Sequence, residues 1–507
     1  MKLNILFGGK AGQGPNIIGH ILAEVLVKKG YYAFYSREYE SLIRGGHNFN
    51  VLTFSEEKVF SNESKIDIIV CLDENSFEMH KDSLKKEAII LKGRSENMHY
   101  LGCLFKIFGF EFKELEEELK KLKNFEENLK NAREGYEKEK ARIKLEQIKT
   151  KDKNAFLLKK EAKHPELTFI NGSQGIAEGA VKSGLDIYYA YPMTPATPVL
   201  TELAGMQEKN NFLVLELENE IACINSALGS AMTGAKAMTG TSGGGFNLMT
   251  EALSLSGQAE IPLVIYLATR PGPSTGLPTY TSQGDLNLAL HSGHGEFNRI
   301  VLAPGNPVEA EELTSEAFYF SQKYKIPCII LCDKHLAESF FTNEEKAKLT
   351  KSEKLAFMKK YNSYEHTEDG LATENTEIIK KNFEKRMKTS KEIEKEAGKF
   401  SMYKIYGNKK SKNVILGFGS TKGAILDAMP ENCMFIQVLY LEPFPNIKNL
   451  LENKNIILVE NSATGQLARL LTEKTGIFIE DKNKILRYDG KPFLSDELKR
   501  EILLKLN

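Results

Sequence analysis

A hydroxyl, a carboxylate and a guanidinium stand where apolar runs of this sequence end. Thr194 lies in Ala190-Tyr191-Pro192-Met193-Thr194-Pro195-Ala196-Thr197-Pro198, where three prolines fix φ, remove backbone donors and hold the preceding residues extended, so helix is excluded. The stretch reads as a rigid bent loop that offers the Thr194 hydroxyl to a ligand, or as an ordinary proline-rich turn. Glu220 opens a helical stretch whose small residues, Ala222, Ser226, Ala227, Gly229, Ser230 and Ala231, let another backbone approach closely. As a first-turn acid it also suits helix capping, a task for which Glu218 is equally placed. Arg270 sits between the apolar run 263–268 and a Pro271-Gly272-Pro273 bend that continues to Thr279. A guanidinium there offers a planar fork to a carboxylate, or forms a surface ion pair. A second cation, Arg44, stands beside the flexible Gly45-Gly46 pair. Gly8-Gly9-Lys10-Ala11-Gly12-Gln13-Gly14 joins a short strand to a helical pattern, which is where backbone N–H groups and a helix dipole meet an anion. It lacks the Lys-Ser/Thr pair of a P-loop, and tight strand-to-helix packing asks for the same glycines.

These groups need a scaffold that delivers them to one place. Apolar runs at 4–7, 66–72, 88–91, 167–170, 187–190, 214–217 and 263–268 read as strands, and helical patterns separate them. A further strand near Met238 meets Thr241-Ser242-Gly243-Gly244-Gly245. Strands at 414–418, 435–438 and 456–460 follow, the last running into Glu460-Asn461-Ser462-Ala463-Thr464-Gly465-Gln466-Leu467. Strands alternating with helices predict an α/β protein built on parallel sheets. Four strand ends, at Ala190, Leu217, Gly240 and Ala268, carry polar or glycine-rich loops to one sheet edge, and a site there is the economical explanation. Two stretches dense in Glu and Lys, 113–163 and 344–409, read as connectors or solvated helical faces. The expected organisation is therefore three α/β domains at 1–145, 166–343 and 411–507, with a helical linker at 146–165 and a charged connector at 344–410.

Composition narrows the function classes. The 507 residues carry 68 basic and 68 acidic side chains, so no net field favours nucleic acid or an anionic membrane. No apolar run reaches the roughly 18 residues of a membrane span, and Met1-Lys2-Leu3 leads into a strand and not a signal-peptide core, so a cytoplasmic protein is expected. The six cysteines form no Cys-x-x-Cys pair and mostly lie in apolar runs, which predicts buried free thiols and no iron–sulfur cluster on this chain. His47 has no second ligand at a metal-site spacing, so no metal is expected.

Taken in order, the motifs resemble the α subunit of the 2-oxoacid:ferredoxin oxidoreductases, in the form with a γ domain fused at its N-terminus. The likeness spans nearly the whole chain. It rests on Gly8 to Gly14, Ser41 to Asn48 and Asn97-Met98-His99-Tyr100-Leu101-Gly102 in the γ part. Further on it rests on Tyr191 to Pro198 (family Tyr-Pro-Ile-Thr-Pro, with Met193 for Ile), Thr269 to Thr279, and Glu460 to Leu467 in a transketolase C-terminal-like domain. The middle domain would be pyrimidine-binding. The resemblance implies oxidative decarboxylation of a 2-oxoacid with thiamine diphosphate and coenzyme A, giving acyl-CoA, CO2 and reduced ferredoxin. It leans to 2-oxoglutarate as substrate without fixing it. Glu220 matches the acid that hydrogen-bonds the aminopyrimidine ring. Arg270 matches the cation for the substrate carboxylate, with Thr194 and Thr279 as hydroxyl donors, and Tyr191 and Pro192 line the cofactor. Gly8, Gly12, Gly14 and Arg44 become coenzyme A contacts. No Gly-Asp-Gly motif for Mg2+ and diphosphate is present. The family places that metal and a [4Fe-4S] cluster on a β subunit, so the implied enzyme works only with this partner, as a dimer of heterodimers. Two other readings stay open: a thiamine-dependent subunit of dehydrogenase or transketolase type, and a non-catalytic nucleotide-sensing scaffold.

Overall fold

The computed structural model describes residues 2–40, 46–142, 167–355 and 362–506. Its strands are β1 (Lys2–Lys10), β2 (Tyr32–Glu38), β3 (His47–Ser55), β4 (Ile66–Cys71), β5 (Leu84–Leu91), β6 (Thr168–Asn171) and β7 (Ile187–Ala190). Next come β8 (Leu213–Glu216), β9 (Ala237–Thr241), β10 (Leu263–Thr269), β11 (Ile300–Leu302), β12 (Pro327–Asp333) and β13 (Phe340–Asn343). The series ends with β14 (Tyr403–Gly407), β15 (Asn413–Phe418), β16 (Cys433–Val438), β17 (Tyr440–Glu442), β18 (Asn455–Glu460) and β19 (Lys484–Leu486). The chain forms two compact units, one of Met1–Phe169 with Ser339–Glu344 and Leu494–Glu497, the other of the remainder.

The first unit is built on a mixed sheet of order β5-β4-β1-β3-β2-β13-β6. β1 runs parallel to β4 and β4 to β5, as the alternation of strands and helices predicts, but β1 and β2 both pair antiparallel to β3. The cause is the connection at 39–46, which is too short for the crossover that parallel neighbours need. Ile5, Phe7, Leu22, Leu26, Phe54 and Leu101 are fully buried in its core. The start of the first charge-dense stretch is packed structure: helix Phe125–Arg142 crosses helix Asn97–Ile107 so closely that a Cβ on Gly102 would lie 1.9 Å from the Ala132 carbonyl oxygen. The expected linker, 146–165, lies outside the described residues.

The second unit carries two sheets. One has the order β17-β11-β12-β10-β9-β7-β8, with parallel pairing throughout except β17 against β11. β10 and β12 are buried along their whole length, which is why they read as unbroken apolar runs. The other sheet has the order β14-β16-β15-β18-β19, parallel apart from β14 against β16. Its strand β14 comes from within the charge-dense stretch 344–409, as does the helix Thr376–Ala397. The two sheets share one core, in which Leu263, Ile265, Val414, Leu416 and Leu467 are fully buried. All six cysteines are buried thiols outside any disulfide. No helix among the described residues is long and apolar enough to cross a membrane.

Candidate active site

The four strand ends singled out above are neighbours, because β10, β9, β7 and β8 lie side by side and parallel. Their loops meet around the N-terminus of the helix Gly243–Ala259, which β9 launches. Three consecutive glycines open this helix, and they bring the flanking carboxylates close. Glu220 is 3% exposed and lies against Gly245: a Cβ there would stand 2.5 Å from Glu220 Oε1 and 2.1 Å from Thr241 Oγ1. Glu220 does not cap its own helix. Asn219 does, its side chain accepting from the Ala222 N–H at 2.8 Å. Glu220 Oε1 has no hydrogen-bond partner, and neither has the buried Ser242 Oγ at the start of the glycine helix. Buried polar atoms are paired in the great majority of cases, so two orphans at one helix N-terminus mark a place shaped for an external donor.

The proline-rich loop packs on the same edge. Its Thr194-Pro195 bond is cis. Met193 Sδ accepts from Thr241 Oγ1 at 3.8 Å, which ties the loop to the end of β9. Arg270 Nη1 donates to the Thr194 carbonyl oxygen at 2.6 Å, so the sequence's cation and its hydroxyl-bearing loop are directly joined. The contact is to the backbone of Thr194, and it commits one of the five guanidinium donors. Burial lowers the Arg270 pKa, and the nearby charge of Asp285 opposes that shift. Thr279 is buried in the loop that Arg270 begins, while Tyr191 is 40% exposed and Pro192 is exposed at the rim.

Two further contributors escape a reading by motif. Asp285 Oδ2 would lie 2.4 Å from a Cβ on Gly243, so the second carboxylate is wedged against the other side of the helix N-terminus. Burial pushes its pKa up to about 6 against the pull of Arg270. The one hint in the sequence is its place between a polar loop and the apolar start of a helix, the usual position of a capping Asp. The third sheet, in turn, holds the loop in place. Gln283 and Asn461 exchange hydrogen bonds, backbone N–H to oxygen, at 2.7 and 2.9 Å, and Gln283 Nε2 donates to the Phe418 carbonyl at 2.8 Å. Gln466 Nε2 donates to the Gly284 carbonyl, and Gln466 Oε1 accepts from the Asn287 N–H. Glu460, fully buried, fixes that support by accepting from the Gln466 and Leu467 N–H groups and Ser462 Oγ. The glycines and polar residues at 460–467 thus brace the Arg270 loop.

In the first unit β1 extends to Lys10, because β3 pairs with it as far as Lys10 opposite His47. Gly8 is therefore a buried strand residue, its missing side chain leaving room for Ser76. The turn proper holds Gly12, exposed at φ 91°, and Gly14, at φ 76° in the left-handed region, which precedes the helix Pro15–Lys28 without a side-chain cap. Asn97 from the later γ-like motif sits at this turn, its Nδ2 2.5 Å from where a Gly14 Cβ would be. Arg44 lies outside the described residues. His47 Nε2 meets His80 Nε2 at 2.9 Å. Among the described residues no group of three His, Cys, Asp or Glu side chains is placed to hold a metal ion.

Residues 178–404 match the family model described as pyruvate flavodoxin/ferredoxin oxidoreductase, thiamine diP-bdg, and residues 4–92 match that of pyruvate ferredoxin/flavodoxin oxidoreductase. Over its full length the chain is 30% identical to the 2-oxoacid:ferredoxin oxidoreductase subunit alpha of a Sulfolobus species, of which 97% is covered. A 2-oxoglutarate synthase subunit KorA of Archaeoglobus fulgidus is 38% identical over 34% of this chain and 51% of its own length. A solved 2-oxoglutarate:ferredoxin oxidoreductase from Magnetococcus marinus, with 2-oxoglutarate, coenzyme A and succinyl-CoA bound, superposes with a TM-score of 0.89, 24% identity and full coverage of both chains. At that identity the likeness establishes the fold.

Proposed function

Since this chain belongs to the family of 2-oxoacid:ferredoxin oxidoreductase α subunits, we propose that it supplies the proton-handling acid and the substrate-binding cation for oxidative decarboxylation of a 2-oxoacid with coenzyme A, giving acyl-CoA, CO2 and reduced ferredoxin. The observation that carries this reading is Glu220: a carboxylate oxygen at 3% residue exposure, without a partner, at the junction of four strand ends. An aminopyrimidine ring brings the N–H donor that such an oxygen lacks, so the residues present fit thiamine diphosphate. That cofactor, when bound, supplies the electron sink for loss of CO2.

The chain's own side chains divide the remaining work. Glu220 holds or releases a proton at Oε1, beside the N-terminus of the helix Gly243–Ala259. Arg270, fixed by Thr194, receives the substrate carboxylate, and the Thr194 and Thr279 hydroxyls complete that cradle. Tyr191 and Pro192 close the rim. 2-Oxoglutarate is the substrate this reading favours. Mg2+, the diphosphate contacts and a [4Fe-4S] cluster fall to a β subunit in a dimer of heterodimers, and ferredoxin takes the electrons. Coenzyme A approaches the Gly8, Gly12, Gly14 and Arg44 region, and the complex works in the cytoplasm.

Glu220→Gln tests the reading in the complex reconstituted with its β subunit. The amide keeps the shape and removes the acid. Oxoacid-dependent ferredoxin reduction should fall by roughly 10²- to 10⁴-fold, the range of a lost general acid–base group. Turnover equal to that of the unsubstituted complex would remove Glu220 from the chemistry and the proposal with it.

A further inference from the structure

Thr269 is the last residue of β10, 1% exposed, and the pairing of β10 with β12 ends at it, opposite Asp333. Arg270 is therefore the first residue beyond the sheet. The chain leaves there as a loop whose tip, 272–277, is exposed, and it returns through Thr281, Ser282 and Gln283. One side-chain bond joins the outgoing stem to the returning one: Thr269 Oγ1 donates to the Ser282 carbonyl oxygen. The acceptor is itself held, because both of its neighbours are tied down. The Thr281 N–H donates to the Gly490 carbonyl at 2.9 Å, while Gln283 exchanges bonds with Asn461 and donates to the Phe418 carbonyl. A buried strand end accepts Val as readily as Thr, so the hydroxyl is the informative part of this side chain.

A long, rotamer-rich side chain presents its fork in one direction only when both of its ends are held. The far end of Arg270 is held by the Thr194 carbonyl oxygen, at 2.6 Å from Nη1. The near end is its own backbone, one residue beyond the bond between Thr269 and Ser282. We infer that Thr269 is a positioning residue: by closing the base of the loop, its hydroxyl fixes the point from which Arg270 leaves the sheet and so sets the affinity for the oxoacid whose carboxylate Arg270 receives. It acts through Arg270 and takes no part in the proton chemistry at Glu220. This inference rests on the function proposed above and extends it to a hydroxyl to which that reading gives no role.

Three substitutions separate the hydroxyl from the rest of the side chain. Thr269→Val removes it at constant shape, Thr269→Ala removes it without steric demand, and Thr269→Ser keeps it. In the reconstituted complex the Val and Ala variants should each raise the KM for the oxoacid by roughly tenfold, the low end of what a charge-assisted pair contributes. The change in kcat should be smaller, and the KM for coenzyme A should stay as it was. Thr269→Ser should keep the parent KM. In an Arg270→Ala background Thr269→Val should add nothing further to the oxoacid KM, because both changes act through one guanidinium. A purely structural role predicts a lowered thermal melt with an unchanged oxoacid KM, or equal losses in every constant, and either outcome overturns the inference. So does a Ser variant as impaired as Val. An unsubstituted complex that turns over no oxoacid, or Arg270→Ala with the parent KM, overturns the proposed role of Arg270 and this inference together, whereas a parent KM in Thr269→Val alone overturns only the inference.

Discussion

Gly245 is the position where a single methyl group should silence the enzyme without replacing any polar residue. A Cβ there would stand 2.5 Å from Glu220 Oε1 and 2.1 Å from Thr241 Oγ1, while ordinary contact begins near 3.4 Å. The carboxylate oxygen must therefore retreat by about 0.9 Å, and a misplacement on the order of 1 Å at a reacting group costs roughly 10²-fold in rate. Alanine suits a helix better than glycine by about 1 kcal/mol, which partly offsets an overpacking cost of about 1–3 kcal/mol, so the chain should still fold. The assay is ferredoxin reduction by the reconstituted complex, run beside a thermal melt of the same preparation. The expected result is a near-normal melt with turnover down by about two orders of magnitude, and a double variant with Glu220→Gln that is no worse than Glu220→Gln alone. Full turnover in Gly245→Ala would show that the position of Glu220 Oε1 does not matter and that the orphan oxygen has no part in the chemistry.

Three other outcomes follow from the same structure. Arg270→Ala should raise the oxoacid KM by the equivalent of a charge-assisted pair, about 1.5–3 kcal/mol, and an unchanged KM would place the carboxylate elsewhere. Competing acceptors offered to the reconstituted complex should show electrons reaching ferredoxin and acyl groups not reaching lipoamide; the reverse preference would favour a dehydrogenase-type subunit. Away from the site, burial opposes ionisation of Glu309, but Lys422 at 2.6 Å and Lys404 at 2.9 Å overcome it and hold its pKa down to about 2. A folded pKa below the ordinary 4.5 means that this stabilisation is complete above that value and is lost as the pH falls towards 2. Lys422→Met should then cost about 3 kcal/mol at neutral pH by half-stripping a buried carboxylate, and the variant should lose less than the parent between pH 4.5 and 2. Denaturant midpoints measured across that range decide it.

Much of the site was legible in the sequence because its chemistry is carried by local rules. Proline geometry marked the loop at Thr194, an unbroken apolar run marked β10 and placed Arg270 at its end, and alternation of strands with helices set the α/β class. Each of those signals is encoded within a few residues of the position it describes. The capping role that competed for Glu220 was settled only in three dimensions, where Asn219 takes it. The antiparallel course of β3, the strand character of Gly8 and the strand β14 inside a charge-dense stretch likewise depend on partners far along the chain. Asp285 is the clearest case. Its type and spacing announce a helix cap, and only the packing of Gly243 beside it, assembled by strand order, turns that carboxylate to the glycine helix. Local composition determined which groups this chain has and which elements carry them. Which groups face one another, and which buried oxygen is left wanting a donor, was decided by packing between segments that the chain itself keeps tens of residues apart.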